Sequence, residues 1–298
     1  MTSTISVAGL TRRYRDHLAL DDVTFAVDGP SITGLLGRNG AGKSTLMRIV
    51  AGQEFASAGR VLVGGASPVE NDAVLRRMVL VREDQAFPDV KVRDALRAAS
   101  WCYPNWSAEL GESLLADFDL PARRPIKRLS RGMLSALGIV IGLAARAELT
   151  LLDEPYAGLD AVARELFYDR LLADYAEHPR TVLLSTHLID EVADLLERVV
   201  IIDHGRIVLD APADDVRGSI TTVRGSVGAV ERFVAGRPTW DRRRIASQET
   251  VVVAGTLDQV DVLRARELDL TLEPLSLQQV MVHAASRVSE EPKERTSA

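Results

Sequence analysis

Lysine is nearly missing from this chain, occurring only at positions 43, 91, 127 and 293, so the basic residues are almost all arginine. A lysine inside a glycine loop, as Lys43 is, therefore stands out. Cysteine is limited to Cys102, which excludes an intramolecular disulfide; with no metal-ligand spacing around it, a packed thiol is expected. Positive charge is outweighed. The net charge of −6 argues against holding nucleic acid through phosphate neutralisation. Long apolar runs are missing too: the longest, residues 137–145, is about half of the roughly 20 residues that cross a bilayer, so no span is expected. Residues 1–10 lack a basic segment followed by an apolar core, so no secretory signal is expected and the chain should stay in the cytosol. No internal repeat and no long coiled coil is visible.

What is present is ordinary globular material. At 298 residues, 46% hydrophobic and 26% charged, the chain suffices for one large α/β domain plus a smaller unit. Ile5 and Val7, then Val23, Phe25 and Val27, alternate with polar residues and predict an antiparallel N-terminal sheet. Residues 32–36 predict a buried strand, and 43–51 a helix after a glycine-rich turn. Further strands are expected at 61–63, 78–81, 149–152, 181–185 and 199–202. Helices are expected at 92–99 and 108–118, on either side of a turn at Pro104 and Asn105, and a buried one at 131–147. Such alternation implies a largely parallel core sheet with a helical insertion. After Asp210 the pattern changes: β-like runs at 221–223 and 250–253 and helix-like runs at 228–234, 259–266 and 275–284 predict a small α/β appendage over 211–286. Residues 287–298 are too polar to fold alone, and a disordered tail is expected.

Two segments carry chemistry. Gly37-Arg38-Asn39-Gly40-Ala41-Gly42-Lys43-Ser44-Thr45 fits G-x-x-x-x-G-K-S/T between an apolar strand and a helix start. Its glycines let successive N–H groups point at phosphate oxygens, with the helix N-terminus adding positive potential. Lys43 is then placed to reach the β and γ phosphates of a bound nucleotide, and the Ser44 hydroxyl to ligand Mg²⁺. The second segment is the apolar strand at 149–152, which stops at Asp153 and Glu154. In a parallel sheet, ligands collect at the carboxyl ends of strands. Asp153 is placed to hold Mg²⁺ mostly through water, and Glu154 to polarise the water attacking the γ-phosphate. The bland alternative is a solvated strand end.

Leu129-Ser130-Arg131-Gly132-Met133 resembles the LSGGQ signature of the ABC transporter ATPases, at the start of an apolar helix and ahead of the acidic pair. In that family the loop caps the γ-phosphate of ATP held by a second subunit. Ser130 and Gly132 match the pattern; Arg131 replaces a glycine and Met133 a glutamine. Arg131 either adds a cation near the partner's phosphate or loosens the fit. Ala157-Gly158-Leu159-Asp160 resembles the D loop, His187 the switch histidine, and Tyr14 the adenine-stacking aromatic. For the Q loop, register favours Glu83 and chemistry Gln85, both as Mg²⁺ sensors. The resemblance covers residues 4–210. It implies a P-loop ATPase that works with ATP and Mg²⁺ as a homodimer, or a heterodimer with a paralogue, peripheral on the inner face of the cell membrane beneath separately encoded permease subunits. Residues 101–106, with Trp101 and Trp106, either pack in the core or meet the permease. No Asn-Lys-x-Asp string supports a GTPase, and no tandem cassette supports a nucleic-acid or ribosome machine.

Overall fold

The computed structural model describes residues 4–290. Strands β1 (Ile5–Tyr14) and β2 (His17–Val27) form an antiparallel hairpin, followed by β3 (Ser31–Leu36) and helix α1 (Lys43–Val50). Strand β4 (Ala58–Val63) pairs with the free edge of β1, so that Ile5 lies between Val27 and Val63. The inward residues of this three-stranded sheet, among them Val7, Leu10, Leu20 and Phe25, pack with Leu46, Met47 and Val50 of α1 in one core.

After α2 (Asp72–Leu75) and β5 (Met78–Arg82) comes the helical insertion, α3 (Val92–Cys102) and α4 (Ala108–Asp117), and then α5 (Arg131–Ala144). Gly138 and Gly142 let α5 lie against β5. A Cβ added at Gly142 would come within 2.5 Å of Val81 Cγ2. The helix stops before residue 147 because Arg146 takes a left-handed φ of 43°. Cys102 is exposed, correcting the expected packed thiol: α3 buries Val92, Ala95 and Leu96, and its last turn runs off the core. Trp101 is 71% exposed there, whereas Tyr103 and Trp106 pack against the core.

The chain continues through β6 (Leu149–Asp153), α6 (Ala161–Glu177), β7 (Thr181–Thr186), α7 (Ile189–Val192), β8 (Arg198–Asp203) and β9 (Arg206–Pro212). The central sheet has the order β5-β6-β7-β3-β8-β9. Five strands run parallel, in keeping with the largely parallel sheet expected, and β9 reverses to lie antiparallel to β8. The cause is local: His204 and Gly205, with φ of 45° and 76°, make the two-residue left-handed turn that closes a hairpin.

Helix α8 (Ala213–Val216) still packs on β8 and β9. Beyond it lie β10 (Ile220–Ser226), α9 (Val227–Val234), β11 (Thr239–Ile245), β12 (Gln248–Ala254), α10 (Gln259–Glu267), β13 (Thr271–Pro274) and α11 (Leu277–Glu290). The antiparallel order β11-β12-β10-β13 is the ferredoxin-like β-α-β-β-α-β arrangement. Val223, Phe233, Val251, Val253 and Leu270 form its own core. Strand β11 was not anticipated because six of its seven residues are exposed and three successive ones are arginines. Helix α11 returns to the larger core through Leu277 and Val280 and includes residues 287–290 of the expected tail; residues 291–298 lie outside the described residues.

Candidate functional site

The loop from β3 to α1 needs its glycines. Gly40 and Gly42 adopt φ of 80° and 110°, and a Cβ on Gly42 would lie 2.7 Å from the Ala19 carbonyl oxygen. Helix α1 starts without a side-chain cap, so its first amides, on Lys43, Ser44 and Thr45, are free for an external oxyanion. Lys43 is 6% exposed; its Nζ donates to the carbonyls of Gly37 at 2.9 Å and Arg38 at 3.3 Å, and lies 3.6 Å from Glu154 Oε1. Ala41 is buried beneath the loop.

Strands β6 and β7 deliver the acidic side. Ser185 Oγ donates to Asp153 Oδ1 at 2.6 Å and accepts from the Glu154 N–H at 3.2 Å, orienting both acids from the neighbouring strand. Glu154 takes a left-handed φ of 50°, an uncommon conformation for a residue with a Cβ, and one that turns its carboxylate out of the strand direction. Its Oε2 accepts from Tyr156 Oη at 2.8 Å and meets His187 Nδ1 at 2.6 Å. Its Oε1 is buried with no hydrogen-bond partner among the described residues and faces Lys43. Burial pushes the Tyr156 phenol well above its ordinary value, so it stays a proton donor. Thr186 Oγ1 and the His187 N–H reach the same phenol oxygen, and Thr186 in turn accepts from Leu188 N–H at 2.9 Å.

A cavity of about 520 Å³ joins Asn39, Gly40, Gly42, Lys43, Ser44 and Thr45 to Tyr14 on one side and to Glu83, Glu154 and His187 on the other. Tyr14 is held by its hydroxyl on Glu54 and by the Arg12 guanidinium 4.4 Å from its ring centre. Of the two Q-loop candidates, Glu83 lines the cavity. Gln85 turns back, its Oε1 accepting from the Arg82 N–H at 3.4 Å. Ser130 and Gly132 are not in the cavity wall. Ser130 Oγ caps α5 by accepting from Met133 N–H at 3.2 Å, and Gly132 sits on the D-loop backbone, where a Cβ would meet Gly158 O at 2.6 Å. Sequence reasoning missed Tyr156 and Ser185, whose roles depend on cross-strand contacts, and His17, which lines the cavity opposite Tyr14 across the β1–β2 turn. For His17 a signal existed: a histidine three residues beyond Tyr14, between the two runs that predict an antiparallel sheet.

A buried lysine, an amide-lined helix start and two consecutive acids at the end of one strand make a site for a polyphosphate and for an activated water. Among the described residues no group of three or more His, Cys, Asp or Glu is placed to hold a metal, so a cation there would take most of its ligands from phosphate, hydroxyl and water, with one or two carboxylates at most.

A family model described as ABC transporter matches residues 20–157. The Nod factor export ATP-binding protein I of Neorhizobium galegae is 30% identical, covering 97% of this chain and 87% of that protein. The sulfate/thiosulfate import ATP-binding protein CysA of Mycobacterium tuberculosis (strain ATCC 25618 / H37Rv) is 32% identical over 89% of this chain and 79% of its own length. A solved ATP-binding subunit of an ABC transporter superposes with a TM-score of 0.65 at 27% identity, covering 72% of this chain and 92% of that one.

Proposed function

The chain belongs to the ABC transporter family as an ATP-binding, ATP-hydrolysing subunit, and from that premise we propose that two such subunits close face to face on two ATP molecules and thereby drive separate membrane subunits. The observation that carries this reading is the position of Ser130 and Gly132. They stand on an exposed helix start outside the cavity of their own chain, where a second subunit's phosphate can be offered to them.

Within one pocket, Tyr14 stacks on adenine, the loop from Gly37 to Thr45 wraps the phosphates, and Lys43 leaves its loop carbonyls for the β and γ oxygens. Glu154 accepts a proton from water as that water's oxygen attacks the γ-phosphorus and the bond to ADP breaks. His187 and Tyr156 hold the Glu154 carboxylate in place through Oε2, which leaves Oε1 for the water. Ser44, Asp153 and Glu83 would hold Mg²⁺, with Gln85 turned aside unless its loop moves; when bound, that ion supplies charge neutralisation at the phosphates.

Membrane partners are supported by two observations. No helix of the described residues is long and apolar enough to cross a membrane, and Trp101 is exposed at the end of α3 on the helical insertion. Such docking would hold the subunit on the inner face of the cell membrane.

Replacement of Glu154 by Gln tests the hydrolytic assignment. ATP affinity measured by calorimetry should hold, while phosphate release falls by about 10²–10⁴-fold, the contribution of a general base. Undiminished turnover removes Glu154 from the mechanism.

A further inference from the structure

We propose that Arg131 is a phosphate-positioning residue for the nucleotide held by a second subunit, and that Glu83 of its own chain competes for it. This rests on the face-to-face reading above and assigns a role to the cation that stands where the signature pattern has glycine.

The guanidinium of Arg131 is paired with Glu83 through Nη2 and Oε1. Both side chains are well exposed, at 70% and 45%, so the pair is not part of the core. Its stem nonetheless lies against the turn at Gly158, where a Cβ would come 3.1 Å from Arg131 Cγ. Arg131 is also the first residue of α5, a helix with no acidic residue in its first turn. A cation at that end opposes the helix dipole. The position becomes favourable when an anion stands in front of it, and Glu83 is the anion supplied by the chain itself. Glu83 in turn leaves β5 with its N–H bonded to the Asp153 carbonyl at 3.1 Å, and it lines the nucleotide cavity. One carboxylate therefore faces the pocket of its own subunit and the loop that is offered to the other.

An exposed ion pair of this kind is weak. A γ-phosphate carries more charge than a carboxylate, and it would meet Arg131 together with the Ser130 hydroxyl and the α5 amides, so it takes the guanidinium from Glu83 on closure. Closing the dimer then exchanges a pair within one chain for a contact between two. Glu83 sets how readily that exchange occurs, and its withdrawal towards its own nucleotide favours it.

The test uses the full chain with Glu154→Gln to block hydrolysis, at saturating Mg·ATP, with monomer–dimer equilibria followed by sedimentation. Adding Arg131→Ala should weaken ATP-dependent dimerisation by about tenfold or more, as expected for loss of a charge-assisted contact. Adding Glu83→Gln instead should strengthen it by about threefold, the size of one lost competing surface pair. The triple variant should match the one carrying Arg131→Ala, because at saturating Mg·ATP, where any loss of a Mg²⁺ contact is offset by concentration, Glu83 affects closure through Arg131. Arg131→Lys should restore part of the loss. Calorimetry at concentrations where the protein is monomeric should show ATP affinity unchanged by Arg131→Ala; a loss there means that Arg131 acts on its own pocket and overturns the proposal. Equal dimerisation of all variants also overturns it while leaving the face-to-face reading intact. Failure of the Glu154→Gln protein itself to dimerise with ATP defeats that reading first, and this inference with it.

Discussion

Strands β6 and β7 carry a cluster of charge at each end, and the two clusters are built on opposite rules. At the end where the strands begin, Asp174 of α6 accepts two hydrogen bonds from Arg146, at 3.0 and 2.8 Å, and lies 2.8 Å from Arg180 Nη1. Asp174 and Arg180 are 3% and 4% exposed, and Arg180 also donates to the His178 carbonyl and to Thr150 Oγ1. Burial pulls the Arg180 guanidinium below its ordinary value, and Asp174 opposes that pull. This cluster ties α6 to the sheet. At the end where the strands finish, Lys43, Glu154 and His187 meet in a cavity, with a carboxylate oxygen left unpartnered and a lysine parked on its own loop. The larger cavity, about 680 Å³, lies at the first end, beside Arg146 and Arg180. Size therefore does not locate the chemistry, and neither does a buried atom without a hydrogen bond, since Asp174 Oδ2 and Arg180 Nη2 share that with Glu154 Oε1; glycine-lined backbone and a glutamate in a left-handed conformation do.

If the first cluster is structural, Asp174→Ala should cost the most of any single change. Two cations would be left without their shared anion, and a loss of about 3–5 kcal/mol is expected, read as a lower urea midpoint, with ATP affinity of the folded protein held. An unchanged midpoint would erase the contrast between the two ends. At the other end Lys43→Ala should leave the fold in place and weaken Mg·ATP binding by about 100-fold, or about 3 kcal/mol, measured by calorimetry. Retained affinity there would remove the phosphate assignment on which the other roles depend. Tyr156→Phe sharpens the comparison further: it removes one hydrogen bond from Glu154 and should lower kcat by about tenfold with ATP affinity unchanged. A matching loss of affinity would make Tyr156 a binding residue instead. The smallest effect is expected from Tyr14→Ala, a loss of about 1 kcal/mol in ATP affinity with kcat held, since stacking contributes to binding and not to bond breaking.

Most of the ATPase core was legible because its signals are contiguous. The phosphate loop is a strand, a glycine turn and a helix start within one short segment, and the acidic pair ends an apolar strand, so backbone geometry alone places Lys43 and Glu154 at the same edge. The order of Lys43, Ser130, Asp153, Gly158 and His187 along the chain carried the family resemblance. Less visible was anything decided across strands. Ser185 and Tyr156 act only because β7 lies beside β6 and the chain after β6 turns back over it. Strand β11 escaped because its edge position lets it be nearly all polar, and Cys102 was misplaced because amphipathic spacing does not say where a helix outruns its core.

The division follows from range. Local spacing sets which segments become strands, which loop can bend around a phosphate and which residue types sit at strand ends, because those properties depend on neighbours a few positions away. Packing between distant segments settled that Glu83 faces the cavity while Gln85 turns to Arg82, that Arg131 meets Glu83, and that α11 returns to the larger core. Side-chain direction at a loop is fixed by what stands across from it, and residues 83 and 131 become neighbours only once α5 has settled against β5.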